Sequence, residues 1–350
     1  MKAATSVILF LTTIVLQPAV QCSAQVAGCT DPVALNYNAA ATVNDGSCMY
    51  QKVTYSPRVK IDPVPAVLEE SSGLQWADGS LWSFNDGGHA AVLFRIDTAS
   101  GAVLQTVTLE GATNVDWEDI AFDGTHLYIG DFGNNSGNRK DLKIYRFPLE
   151  MIPAYQKKKA VTVSAAHIDV IRFHYADQPQ PPVARSVNNT KFDCEAMIVD
   201  GGKIHLFTKN WTAATTTHYV INGTKAGSYV AEPLETLPAG YLVTAADKVP
   251  GSDTVLLIGY QNSGTGAHFM HLLTDFSKGL YFNGNKRRVD LPSVAEIGQV
   301  EGITFRNSRY GYISNEKFVR SKFGLTLSVN PKLHLFYLDF LGRREVAGSK

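Results

Sequence analysis

Surplus charge is what this chain lacks: 32 lysines and arginines face 32 aspartates and glutamates over 350 residues. Nucleic acid and anionic membrane both demand a basic face, so the balance argues against either as a partner. Two short cationic runs, 157–159 and 286–288, follow Pro153 and Asn283-Gly284 and read as solvated surface beside connections. Apart from Ala3–Leu16 there is no long apolar run, and that one is too short for a permanent membrane span. Cysteine is scarce, with four in the chain, and Cys194 has no second Cys or His beside it at ligand or catalytic spacing. A Gly-x-Ser-x-Gly elbow is missing, as is a phosphate-cradling glycine loop ahead of a helix. His268 and His271 stand three apart on an expected strand, so they face opposite sides and share a metal poorly. Nothing beyond the first two dozen residues reads as helical over a useful length.

What is present begins with Lys2, the apolar run and the small residues Ser23-Ala24, the pattern of a cleaved secretory signal over residues 1–24. The mature chain would start at Gln25 and be secreted or held at the cell surface. Lipid attachment at Cys22 is the rival reading, weakened by Gln21 where lipoprotein signals carry a small residue. In an exported chain the nearby Cys29 and Cys48 are expected to pair, closing a module over 25–50 at a gain of about 3 kcal/mol. Its phrases Gly28-Cys29-Thr30-Asp31-Pro32, Asn36-Tyr37-Asn38 and Asn44-Asp45-Gly46-Ser47-Cys48 resemble a short Cys-bounded module of exported proteins from marine and Bacteroidota-type bacteria. Asp31, Asn36, Asn44 and Asp45 could offer oxygens to Ca²⁺, or they simply cap and turn the loop.

The rest, 51–350, repeats one phrase five times: a carboxylate or serine, a short strand, a tight turn, a second strand, then an Asp/Asn/Gly loop. Copies start at Glu70-Ser71-Ser72-Gly73, Asp116-Trp117-Glu118-Asp119, Cys194-Glu195-Ala196, near Thr244, and at Val300-Glu301-Gly302. Repeats of this size built from short strands predict an all-β fold, a five-bladed β-propeller. A sixth blade would have to hide in 150–193, where Gln178–Pro182 reads as a loop. The fifth blade lacks an outer strand. Val53–Ile61, demoted to an edge by Pro57, is expected to fill that vacancy and so join the two ends of the chain.

In a propeller the starts of the innermost strands converge on a central channel, so Glu118, Glu195 and Glu301 are brought together. Gathered like charges need neutralising, and Ca²⁺ suits a roomy ring of oxygens; otherwise the glutamates accept backbone N–H bonds from neighbouring blades. The phrases around Glu118, Glu195 and Glu301 resemble those of a group of bacterial exported propellers. More distantly, their order is similar to the five-bladed calcium-activated nucleotidases (apyrases). That resemblance implies a central Ca²⁺ on Ser72, Glu118, Glu195 and Glu301. The fourth repeat departs, with Ala245-Ala246 where a serine is expected, and of the family's basic residues for phosphate only Lys209 has a counterpart.

The loops after the second strands, at Asn85-Asp86, Asp131, Asn134-Asn135, Asn210 and Asn315-Glu316, should share one face of the disk. That face is the expected binding site for a small molecule, glycan or protein, with Trp117 and Trp211 either lining it or packing between blades. The chain thus reads as a Ca²⁺-centred binding module. The alternatives are a Ca²⁺-dependent hydrolase of phosphate esters or anhydrides, with Asp86 or Asp131 directing water, and a lactonase-like metal propeller.

Overall fold

The computed structural model describes residues 24–262, 266–322 and 324–339. The secretory-signal segment 1–23, Cys22 included, lies outside them. Among the described residues no helix is long and apolar enough to cross a membrane. The longest α-helix they contain is a single turn, Val294–Ile297, capped by Ser293 and Glu296.

Five inner strands set the plan: β1 (Ser71–Ala77), β2 (Trp117–Phe122), β3 (Asp193–Asp200), β4 (Leu242–Lys248) and β5 (Gln299–Phe305). Each heads a unit of four antiparallel strands, the first two joined by a tight turn. At Asp78-Gly79 and Gly201-Gly202 both turn residues have positive φ, which glycine adopts freely and aspartate tolerates. The inner strands pack side by side in a closed ring, β1 on β2, β2 on β3, β3 on β4, β4 on β5 and β5 back on β1.

Burial follows the same plan. Alternate residues of each unit face a neighbour, giving a separate apolar core at every junction. Phe84, Trp117 and Tyr145 fill the first, Met197 and Tyr219 the second, Phe207 and Tyr241 the third, Ile258 and Ile303 the fourth, and Leu74 and Tyr312 the fifth. Cys194 is sealed in the second core, where burial pushes its thiol far up, as expected of an inert cysteine. Side chains then tie each inner strand to the next unit. Ser72 donates to the Glu118 carbonyl at 2.9 Å, and Asp119 accepts from the Met197 N–H at 2.7 Å. Lys248 pairs with Asp200 at 2.6 Å, and Asp247 accepts from the Phe305 N–H at 2.6 Å. Thr304 receives the Trp76 N–H at 2.8 Å, completing the circle.

Burial raises the Asp247 carboxyl from 3.8 to about 7, opposed by its hydrogen bonds from Phe305, Thr304 and Lys248. The folded chain therefore keeps this proton over a pH range in which the unfolded chain has lost it. Its stabilising contribution is complete below about pH 4 and is lost as pH rises through 7. Urea midpoints at pH 5 and pH 8 should accordingly fall further with pH in the wild type than in Asp247→Asn. The difference should exceed 1 kcal/mol, each pH unit of differential protonation being worth about 1.4 kcal/mol.

One expectation about the edges needs correction. Val53–Ile61 is not one strand, because the chain breaks at Pro57 and serves two units. Val53–Thr54 adds parallel to the outer strand of the fourth unit, Asn285–Ser293, whereas Arg58–Ile61 pairs antiparallel with Lys332–Tyr337 and completes the fifth. Residues 150–193 form no four-stranded sheet of their own. They lend Ala160–Val163 to the edge of the first unit, Asp169–Tyr175 to the second, and a long loop to the ring's mouth.

Cys29 and Cys48 form a disulfide. The four side chains considered for Ca²⁺ are engaged locally instead. Oxygens of Asp31, Asn36, Asn44 and Asp45 accept the N–H groups of Val33, Met49, Gly46 and Ser47. The run 286–288 is also more than solvated surface. Lys286 donates to the Gly46 carbonyl at 3.0 Å and Arg287 lies over Tyr50, while Asn44 reaches Asp275 at 2.7 Å, so the module is seated on the fourth unit.

Candidate functional site

The same irregularity recurs at the start of all five inner strands. The ladder to the second strand skips one residue: Gly73 in β1, Glu118 in β2, Glu195 in β3, Thr244 in β4 and Glu301 in β5. A bulge leaves its extra residue unpaired and re-aims its side chain, and here the glutamates turn into the axial cavity. Ring position is thereby fixed by geometry. The counterpart of Glu118 in the first unit is Gly73, and Ser72 is its neighbour. In the fourth unit it is Thr244, whose hydroxyl donates to the Val300 carbonyl at 2.8 Å, and not Ala245 or Ala246.

The cavity has a volume of about 430 Å³. Ser72, Glu118, Glu195 and Glu301 all line it, joined by Asp86 and Glu316 from the ends of second strands and by Lys209. Trp211, Tyr260 and the overhanging Asn188 form much of its remaining wall. Five carboxylates thus meet a single ammonium.

The charges divide into two halves. In one, Lys209 is 4% exposed and its Nζ lies 2.8 Å from Glu195 Oε2, with the Trp211 and Tyr260 rings 4.7 and 5.3 Å away. Burial opposes the charge on Lys209, yet Glu195, with Tyr260, Glu301 and Asp193 behind it, holds the ammonium well above the usual lysine range. Glu195 is therefore neutralised by the protein itself. Beside this pair the Gln299 side-chain amide donates to Glu301 at 2.7 Å and to Glu316 at 2.5 Å. Burial, reinforced by neighbouring acids, raises Glu301 to about 7 and Glu316 to about 8.

Among the described residues the other half has no cation. Asp86, Asp116 and Glu118 bring one carboxylate oxygen each within 4.8 Å of one another. Glu118 is 6% exposed, and no donor among the described residues bonds its carboxylate. Burial first, then Glu195, Asp86, Asp116 and Asp193, push it far above the ordinary range; burial and then Asp86 take Asp116 to about 7. Gly133 makes the approach possible, because a Cβ there would overlap both Glu118 Oε1 and Asp116 Oδ2.

Asp131, a candidate for directing water, lies outside this cavity. It is fully buried, held by Arg139 at 2.8 Å and Lys143 at 3.0 Å, and accepts the Asp116 N–H at 3.1 Å. It fixes the backbone beneath Asp116 and cannot face a ligand. Trp117 is likewise core, its indole N–H on the Thr113 carbonyl, whereas Trp211 does line the cavity and donates to Asp193. Asp116, Gln299 and Tyr260 were the residues missed. An acid–x–Glu spacing at Asp116-x-Glu118 and Asp193-x-Glu195 was the available signal.

Neither a family model nor a curated protein sequence matches the chain. Among solved structures, the PQQ-bound aldose sugar dehydrogenase of Streptomyces coelicolor is similar at 11% identity and a TM-score of 0.42, over 80% of this chain and 98% of that one. A proposed 6-phosphogluconolactonase from Bacteroides uniformis is similar at 13% identity and a TM-score of 0.36, over 78% of this chain and 74% of its own. Likeness at this level bears on neither ligand nor activity.

Proposed function

We propose that the chain is an exported, five-bladed β-propeller whose axial cavity holds Ca²⁺ and acts as a ligand-binding module. The observation that carries this reading is the trio Asp86, Asp116 and Glu118, hard oxygen donors gathered around a buried carboxylate that has no protein donor. Like charges so placed repel unless a cation or protons intervene, and all-oxygen sites suit Ca²⁺. Ser72 lies beside the trio, while Glu195 and Glu301, the other two residues of the apyrase-like set, are already engaged by Lys209 and Gln299. The ion would therefore sit off-centre, on the Glu118 side.

Bound there, Ca²⁺ would supply charge and open coordination positions for oxygens of a small molecule, glycan or protein side chain. Around it, Trp211, Tyr260 and Asn188 offer an aromatic and amide wall. Hydrolysis of phosphate compounds is the weaker reading, because Lys209 is spent on Glu195 and, among the described residues, no further cation lines the cavity. A phosphate-release screen in Ca²⁺ separates the two.

Calorimetric titration of the EDTA-treated protein tests the ion directly. One Ca²⁺ should bind, and Glu118→Gln or Asp116→Asn should weaken binding at least tenfold. Gly133→Ala should do the same by forcing the carboxylates apart, with under about 1 kcal/mol lost in EDTA, since the clash is with movable side-chain ends. Equal Ca²⁺ affinity in all four proteins would remove the cation from this site.

A further inference from the structure

At the far ends of the inner strands, away from the acidic cavity, Arg95 is buried in the first unit. It stands between Trp82 and Gln105 in a row across three adjacent strands. Its guanidinium lies over the Trp82 indole at 4.6 Å, with the Tyr155 ring at 5.8 Å. The residue is 7% exposed, yet no oxygen among the described residues accepts a hydrogen bond from it, and its Nε is enclosed without a partner. Its open edge faces a cavity of about 340 Å³ lined also by Phe122, Leu149, Ile152, Asp78 and Glu150. The two acids are exposed, and among the described residues neither lies within ion-pair distance of Arg95, although the Asp78 charge acts on it from further off.

A guanidinium cannot shed its proton to escape burial, so a lone one is costly unless something supplies an acceptor. The Trp82 ring lies against the guanidinium and no acceptor among the described residues occupies its N–H groups, and a guanidinium takes a carboxylate two bonds at a time. A simple anion would be repelled by Asp78 and Glu150. A molecule with a second, cationic end would be drawn by all three charges, and Phe122, Leu149 and Ile152 give the same cavity an apolar lining.

We propose that this cavity binds a small zwitterion of the amino-acid type, its carboxylate on Arg95, its methylenes against Phe122, Leu149 and Ile152, and its ammonium between Asp78 and Glu150. The site is independent of the cation reading.

Calorimetric titration of the full chain with the ω-amino acids from glycine to 6-aminohexanoate tests it, with pentanoate and pentylamine as single-charge controls. At least one amino acid should bind tenfold or more tightly than either control. Arg95→Gln should weaken both that amino acid and pentanoate at least tenfold. Where that variant fails to fold, Asp78→Asn with Glu150→Gln, on exposed side chains, should reduce the amino acid to the level of pentanoate without weakening pentanoate. Failure of every amino acid to exceed pentanoate, or unchanged affinity in the Asp78/Glu150 double variant, would overturn the proposal.

Discussion

Replacing Lys209 by Met should cost the protein about 3–5 kcal/mol of stability, read from chemical denaturation in EDTA at neutral pH. The reason is the company the ammonium keeps. Its removal leaves Glu195, 3% exposed, without the cation 2.8 Å away and still close to Asp193 and Glu301. Stacking on Trp211 and Tyr260 is lost as well. The effect should be largely reversed by adding Glu195→Gln, because a neutral amide next to a methionine leaves no unpaired charge. A double-mutant cycle isolates the coupling. A small loss in Lys209→Met alone would mean that Glu195 is protonated in the wild type and that the pair is a neutral contact.

The second large effect is on thermal unfolding. A cation that binds only the folded chain stabilises it by about 2.7 kcal/mol when present at a hundredfold excess over its dissociation constant. For a chain of this size that corresponds to a rise in melting temperature of roughly 3–5 °C over the value in EDTA. Glu118→Gln should remove the Ca²⁺-dependent rise, and in EDTA it should equal or exceed the wild type in stability. The sign follows from burial, since Glu118 in the metal-free fold is held far above its ordinary pKa and an uncharged amide relieves the repulsion from Glu195, Asp86 and Asp116. Glu195→Gln, by contrast, frees Lys209 to approach the trio and should weaken the ion without abolishing it. No shift on adding Ca²⁺ to the wild type would leave the trio to be neutralised by protons.

Much of the architecture was legible because it rests on periodicity. Alternating strands such as Leu81-Trp82-Ser83-Phe84 and turns such as Asp123-Gly124 declare themselves locally, and the repeat of Glu118, Glu195 and Glu301 marked one end of the ring. The bulges did not show, since a skipped residue in a ladder depends on the partner strand. That is why Ser72 and Ala245 were aligned with the glutamates when the equivalent positions are Gly73 and Thr244. Nor did Asp131 reveal that it is clamped, because Arg139 and Lys143 reach it only through the folding of their loop. The break of Val53–Ile61 into two edges was signalled by Pro57, but which edges it served was a matter of tertiary geometry.

The segment 53–61 also has a temporal consequence. During synthesis it is made before every unit of the ring, yet Arg58–Ile61 has no partner until Lys332–Tyr337 emerges at the other end of the sequence. Loop closure over such a length is entropically slow, and the waiting edge is an open invitation to pair with another chain. Chains halted before residue 332 can assemble earlier units but have nothing with which to seal the fifth. The ring is therefore sealed late, and the arrival of Lys332–Tyr337 decides whether Arg58–Ile61 is paired or left available for misassembly.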